Sequence, residues 1–473
     1  MSSDPSKSGS SNPDDIKSDG SKVERGTPAI YLEPKQASDQ DSLKPGLSHL
    51  VAQVFKPSEI RFTSALPPLS LYIHLPWCVR KCPYCDFNSH LAPDSTYREV
   101  GVTKTAGTSD RLIPIQSESI AGLQSDLSQA KSLPETLQKQ YLQALIADLD
   151  MQLPKIWGRR LHTIFIGGGT PSLFHPDLID ELLAAVRARL GMPATGEITM
   201  EANPGTFEQH RFEGFRQAGV NRLSIGVQSF NSAHLQALGR IHNAEQAIAA
   251  VRSAVELFDE VNVDLMYGLP NQSIEQALAD VKQAVVLNPT HLSLYQLTME
   301  PNTLFALKPP ALPDEDLLVD IEGAVHLLAA QSGFERYEVS AFAKEGHRCQ
   351  HNLNYWSFGD YLGIGAGAHA KVSYPNRIER ETRPRNPAAY MEAMGQSATA
   401  MALQGPASSE AAQELKVAEL PFEFMLNALR LIDGVPDDYF AERCGRPVQD
   451  LQKSLKLAIE KGLLEPQPGV FKP

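Results

Sequence analysis

Leu71-Tyr72-Ile73-His74-Leu75-Pro76-Trp77, a short apolar run of strand character, leads straight into Cys78-Val79-Arg80-Lys81-Cys82-Pro83-Tyr84-Cys85. Aliphatic and aromatic residues closed by a proline read as a strand. The cysteines that follow are spaced CxxxCxxC, so one short loop can wrap three thiolates around a single group and leave a fourth position without cysteine. A closed structural zinc site wants a fourth Cys or His, which His74 or His90 could supply. Three thiolates also suit a 4Fe–4S cluster with one iron open to another ligand.

Downstream of this junction, short β-rich runs alternate with segments of helical period, the pattern of consecutive βα units. Strands are expected at Leu71–Leu75, Thr163–Ile166, Glu197–Met200, Arg222–Val227, Val261–Met266 and His291–Leu297. Their helices are expected near 136–150, 176–190, 207–218, 234–256 with a break near Gly239, 273–286 and 313–331. Crossovers of one hand would join the six strands into an open parallel sheet or a partial barrel. Beyond them come a strand candidate at Arg336–Phe342, a glycine-rich stretch Gly363-Ile364-Gly365-Ala366-Gly367, and helical segments near 412–432, 436–443 and 448–461.

The organisation that results is a tail over 1–65, the α/β region over 66–310 with an insertion at 92–135, a completing region over 311–395, and a small helical domain over 412–473, after a linker near 396–411. The tail is rich in Ser, Asp, Lys, Pro and Gly and buries too little apolar surface to offset its ordering entropy, so it is expected to be disordered. The chain has 473 residues and a formal net charge of −13. That charge argues against a broad nucleic-acid footprint, which needs clustered Lys and Arg. No apolar run approaches the roughly 20 residues of a membrane-spanning helix, and peripheral membrane contact is left open. Five cysteines, three of them within eight residues, look like metal ligands in a reducing compartment rather than a secreted disulfide framework. A cytoplasmic location is expected, since the N-terminus also lacks a secretory signal and is too acidic for a transit peptide.

In parallel α/β folds ligands gather at the carboxyl ends of the strands. Here the first strand ends in the cysteines and the second in Gly167-Gly168-Gly169-Thr170-Pro171. The third ends in Glu201-Ala202-Asn203-Pro204 and the fourth in Gln228-Ser229; the fifth carries Asp264 and ends in Tyr267-Gly268-Leu269-Pro270, and the sixth ends near Thr298. Taken singly, a triple glycine is often a turn, and Glu201 or Arg240 can be a surface pair.

Together these motifs resemble the radical-SAM superfamily, whose CxxxCxxC loop binds a 4Fe–4S cluster chelated by S-adenosylmethionine. Tyr72-Ile73-His74-Leu75-Pro76-Trp77-Cys78, Lys81-Cys82-Pro83-Tyr84-Cys85-Asp86-Phe87, GGGTP, EANP, Gly226-Val227-Gln228-Ser229-Phe230, Leu238-Gly239-Arg240 and Asp264–Pro270 are similar to the oxygen-independent coproporphyrinogen III oxidase family over roughly residues 70–470. The resemblance implies a partial (β/α)6 barrel with a mainly helical C-terminal domain, and Cys78, Cys82 and Cys85 on the cluster. It implies that Tyr72 packs by the cluster and that Gly168 and Glu201 touch the first S-adenosylmethionine. Gly169, Thr170, Gln228, Arg240 and Asp264 match positions for a second molecule, which Tyr84 and Thr298 would join. It assigns no catalytic residue.

The oxidases extend the loop to CxxxCxxCxC, whereas Phe87 stands at that last position here. That departure, with His351-Asn352-Leu353-Asn354-Tyr355-Trp356 matching an HNxxYW motif, resembles the HemW-type haem chaperone branch. The branch implies binding of haem and delivery to an acceptor protein, with room for an electron donor. His351 offers a neutral imidazole for haem iron, and Tyr355 and Trp356 offer flat apolar faces. Without the resemblance, a lone histidine beside aromatics reads as packed core, while Cys349 is an alternative thiolate and Cys444 is inert packing. Two further readings stay open: an active coproporphyrinogen oxidase performing radical decarboxylation, and a zinc-stabilised α/β protein.

Overall fold

In a computed structural model, residues 59–63, 65–93, 133–156, 158–205, 209–404 and 412–473 are described, 397–404 by their backbone alone. The expected tail therefore lies outside the described residues as far as position 58, as do 94–132 of the insertion and 405–411 of the linker. Residues 59–62 are part of the folded body. Ile60 is 3% exposed and the Arg61 amide donates to Gly445 O at 2.9 Å.

Six strands pair side by side in chain order, all parallel: β1 (Leu69–Leu75), β2 (Leu161–Gly168), β3 (Glu197–Ala202), β4 (Arg222–Gln228), β5 (Glu260–Tyr267) and β6 (His291–Gln296). The helices that follow them are α1 (Glu135–Ile156), α2 (Pro176–Arg189), α3 (Phe212–Ala218), α4 (Ala244–Leu257), α5 (Ile274–Leu287) and α6 (Glu315–Gln331). This is the expected partial (β/α)6 barrel.

Its sequence logic is a period of two. Leu71 and Ile73, Ile164 and Ile166, Leu223 and Ile225, and Val263 and Leu292 point outward and pack under the helices, each fully buried. Each such side chain contributes about 1.5–3 kcal/mol by leaving water. The alternate positions are mostly polar and bond to one another: Ser70 to Thr163 at 2.8 Å, Ser224 Oγ to Asp264 at 3.0 Å, and Asn262 to His291 at 2.6 Å. Strands buried on both faces are usually apolar throughout; the polar inner face here makes room for a polar ligand.

Local chemistry sets the boundaries. α4 and α5 open with reciprocal capping boxes, Asn243 with Gln246 and Ser273 with Gln276. The expected helix over 234–256 is split into Ser232–Ala237 and α4, and Gly239 between them sits at φ 68°, a conformation glycine adopts without cost.

Beyond the barrel, β7 (Asp360–Ile364) pairs in parallel with the free side of β1, and β8 (His369–Tyr374) and β9 (Arg377–Thr382) extend the sheet antiparallel. At the opposite edge the single strand expected over 336–342 is instead a hairpin, Glu335–Arg336 with Ala341–Ala343. Glu338 breaks the ladder: its carboxylate accepts from the Ser340 amide at 2.7 Å and pairs with Arg430. Helix α7 (Gln350–Trp356) precedes β7, and α8 (Pro387–Gln404) runs through the first half of the expected linker.

The segment expected to be helical over 412–432 gives up its first residues, because Gln413–Glu414 adds to β9, and keeps α9 (Leu420–Ala428). Tyr439–Cys444 and Gln452–Glu460 are the further α-helices of this C-terminal region. They share a core of Phe358, Phe424, Phe440 and Phe471 with Ile60 and Cys444. Among the described residues no helix is long and apolar enough to cross a membrane.

Candidate functional site

The cysteine loop leaves β1 at the carboxyl end of the barrel, where Trp77–Cys78 pairs with His90–Leu91 and closes the loop on itself. The Trp77 ring anchors it edge-on against Tyr141 at 4.8 Å. All three cysteines are free, and each sulfur has a different polar neighbour. Thr170 Oγ1 donates to Cys78 Sγ at 3.5 Å, Arg240 Nη1 donates to Cys82 Sγ at 3.7 Å, and Ser89 Oγ lies 3.9 Å from Cys85 Sγ. Burial pushes the Cys78 thiol up to about 12 and raises that of Cys85. Without a metal these stay thiols, so binding one displaces protons.

The donor set discriminates between metals. Among the described residues no three His, Cys, Asp or Glu side chains converge on one ion position. His74 has both nitrogens engaged, at 3.0 Å to Tyr72 Oη and 2.9 Å to Asn88 O, and His90 is bonded to Arg385 O. Both histidines thus have hydrogen-bond partners outside the cysteine set. Three separately held sulfurs suit a polynuclear cluster, in which each ligand meets its own iron.

Beside the loop, the glycine run is a cradle that side chains would fill. A Cβ on Gly168, at φ 119°, would lie 2.7 Å from the His74 ring, and one on Gly169 would lie 2.7 Å from Trp77 O. The Gly168 amide donates to Glu201 Oε2 at 3.0 Å. Burial, and then the nearby Asp264, push the Glu201 carboxyl up to about 8. Asp264, also raised by burial, is held by Ser224 at 3.0 Å and Asn262 at 2.8 Å. Carboxyls so placed are ready acceptors for the ammonium or ribose hydroxyls of a ligand.

A pH dependence follows from Glu201. Its folded value lies above the ordinary 4.5, so between about 4.5 and about 8 the folded chain holds a proton the unfolded chain has lost. Stability of the metal-free chain therefore falls as pH rises across that window. Glu201→Gln is expected to flatten this part of the profile, read from urea midpoints at its two ends. An unchanged slope in the variant would contradict the assignment.

Other expected residues also reach the mouth. Gln228 takes φ 71° at a register shift in the β4–β5 ladder, a strained conformation of the kind found where a side chain is re-aimed at a site. Tyr72 stacks on Phe165 at 6.1 Å, and Tyr84 packs on Phe305 at 6.3 Å. Arg240 is held by Asn203 Oδ1 and Gly226 O, each at 2.7 Å. Thr298 is not drawn into this group: it is exposed past β6 and donates to Glu300 at 2.7 Å.

His351 lies at the other end of the barrel. Its Nδ1 is 2.9 Å from Thr163 Oγ1, and its amide donates to Glu197 at 2.9 Å; these partners begin β2 and β3 rather than end them. Thr163 and Gly168 are five steps apart along a parallel strand, about 16 Å at a rise of about 3.3 Å. Burial drives the His351 imidazole down to about 3, so it is neutral. Asn354, one turn on, donates to Ser70 Oγ at 2.8 Å and to Asp360 O at 3.1 Å. α7 thus forms the barrel floor, with Tyr355 37% exposed and Trp356 under the Arg430 guanidinium at 4.3 Å. Cys349 is buried there, its thiol donating to Glu197 at 3.3 Å.

Two polar residues were not singled out as site residues from the sequence. Asn88 ties the loop to the rest of the chain through Ala366 O and Arg385 O, both at 2.9 Å. Asn203 bridges Arg240 and Thr170; its only signal was its place in the run after β3.

A model of the radical SAM superfamily matches residues 72–284, and one of the HemN C-terminal domain matches 415–472. The heme chaperone HemW of Escherichia coli is 45% identical over 401 residues, covering 84% of this chain and 92% of the relative. HemW of Haemophilus influenzae is 43% identical over 405 residues, with coverage of 84% and 92%. That of Mycobacterium tuberculosis is 30% identical over 392 residues, with coverage of 81% and 88%. Among solved structures, the coproporphyrinogen III oxidase HemN of Escherichia coli superposes with a TM-score of 0.63 at 21% identity, covering 89% of this chain and 94% of that one. This last likeness is one of fold.

Proposed function

The chain belongs to the radical SAM superfamily and, within it, to the family of the HemW haem chaperones, and from this we propose that it binds haem and passes it to an acceptor protein. The observation that carries this reading is helix α7, which gathers His351, Asn354, Tyr355 and Trp356 at one end of a barrel whose other end holds Cys78, Cys82 and Cys85. A 4Fe–4S cluster on those cysteines would supply one-electron chemistry and an open iron for the amino and carboxylate groups of S-adenosylmethionine.

The chain's own residues do the rest. Gly168 and Gly169 leave space beside the loop, Glu201 accepts from the ligand's hydroxyl or amino hydrogens, and Asp264, Gln228 and Arg240 supply further polar groups for it. At the floor, burial keeps His351 unprotonated, and the bond from Nδ1 to Thr163 leaves Nε2 as the nitrogen for haem iron. The oxidase reading has less support. It requires a cysteine at position 87, where Phe87 stands 64% exposed.

Titration of the purified chain with haem is expected to give a saturable Soret band. His351→Ala is expected to move the band and weaken binding roughly tenfold or more, about 1.4 kcal/mol. An unchanged spectrum and affinity would reject His351 as the ligand. Anaerobic conversion of coproporphyrinogen to protoporphyrinogen would restore the oxidase reading.

A further inference from the structure

Besides the Ser89–Cys85 contact inside the loop, two of the cluster cysteines receive hydrogen bonds from side chains outside it, Cys78 from Thr170 and Cys82 from Arg240. Those two donors have one partner in common. Asn203 Nδ2 donates to Thr170 Oγ1 at 2.9 Å, and Asn203 Oδ1 accepts from Arg240 Nη2 at 2.7 Å. We propose that Asn203 is a positioning residue for the cluster: one carboxamide sets the direction of the hydrogen bonds to Cys78 and Cys82 and thereby tunes the reduction potential of the group the cysteines hold. This rests on the reading of Cys78, Cys82 and Cys85 as 4Fe–4S ligands.

The argument is one of proton counting. A threonine hydroxyl has one proton to give and two lone pairs to receive with. The Asn203 amide fills a lone pair, so the Thr170 proton is left for Cys78 Sγ at 3.5 Å. The orientation of the amide is settled by its other end, because only its oxygen can face a guanidinium. Arg240 Nη2 spends both its protons, one on Asn203 Oδ1 and one on Gly226 O at 2.7 Å, which fixes the guanidinium plane and turns Nη1 to Cys82 Sγ at 3.7 Å. Asn203 itself is pinned at the end of β3, its amide donating to Ser172 Oγ at 3.4 Å.

Hydrogen bonds to cluster sulfurs stabilise the more negative, reduced form and raise the potential. Asn203→Asp keeps the shape but has no proton to give. The Thr170 hydroxyl then turns to the new carboxylate and away from Cys78, and Arg240 is drawn into a charge pair. The midpoint potential is expected to fall. Asn203→Ala, which frees both donors without adding charge, is expected to lower it less.

A spectroelectrochemical titration of the anaerobically reconstituted full-length chain tests this, with iron and sulfide counted in each sample. Thr170→Val is expected to lower the potential in the otherwise unaltered chain, and to lower it no further once Asn203→Asp is present. Thr170→Ser, which keeps the hydroxyl, is expected to leave it in place. A purely electrostatic effect of the new carboxylate would make the two changes additive, and that result overturns the proposal. So does an unshifted potential in both Asn203 variants, or a loss of cluster content with an unshifted potential in what remains, the mark of a merely structural role. Absence of iron–sulfur absorbance in the unaltered chain would instead defeat the cluster reading itself.

Discussion

Cys78→Ala is expected to abolish the iron–sulfur absorbance of the chain after anaerobic reconstitution, with iron and sulfide falling to background. Cys78 is the proposed ligand seated on the short strand that closes the loop, and its sulfur takes a hydrogen bond from Thr170 of the adjoining glycine run. Without its sulfur the cluster would hang on Cys82 and Cys85 alone, and two thiolates leave two irons without a protein ligand. Cys82→Ala and Cys85→Ala are expected to act alike. Cys444→Ala is the control, since that thiol is fully buried among the aromatic side chains of the C-terminal core. Should Cys78→Ala retain full iron and sulfide with an unaltered spectrum, the cluster assignment fails. Zinc without iron in the unaltered chain would favour the structural-zinc reading instead.

Much of this architecture was legible in the chain because the barrel strands alternate. Ile164 and Ile166 alternate with Thr163 and Phe165, and Leu223 and Ile225 with Arg222 and Ser224, so a local pattern already carries both the strand and its facing. The cysteine loop and Glu201 stood out because ligands collect where such strands end, whereas Arg240 was singled out through the family resemblance alone. What escaped was set by distant partners. Gly363 and Gly365 read only as part of a glycine-rich stretch, yet they are needed because the chain runs hard against its neighbours there: a Cβ on Gly363 would meet His369 O at 1.9 Å, and one on Gly365 would meet His74 O at 2.3 Å. Helix α8 escaped because Gly395 and Ser397 interrupt its helical composition, although the backbone continues to Gln404. His351 was legible as a special residue but not as one on the floor, since nothing local tells it that Thr163 and Glu197 will be its partners. Asn203 was noted only within the run that ends β3; its contacts with Thr170 and Arg240 appear only in the fold.

The largest loss of stability is expected from Arg383→Met. Asp148, on α1, is fully buried, and its carboxylate is met by Arg383 Nε at 2.9 Å, by the Tyr390 hydroxyl at 2.9 Å and by the Gly365 amide at 3.3 Å. Burial by itself pushes the Asp148 carboxyl upward, and Arg383 is the first group opposing that push. Removing the guanidinium strands a charge in the core, which costs about 3–5 kcal/mol, a large share of a typical folding stability of about 5–15 kcal/mol. The damage is expected to reach the site, because Gly365 packs beneath the His74 backbone and His74 leads into the cysteine loop. Reconstituted Arg383→Met should therefore hold its cluster less tightly as well as unfold at lower urea. Asp148→Asn removes the charge that Arg383 was neutralising. In the double variant Asp148→Asn, Arg383→Met most of the loss should be recovered relative to the sum of the single changes, since no buried charge is left unpaired. Strict additivity of the two substitutions would show that Arg383 acts through packing on β9 and α8 rather than through its charge.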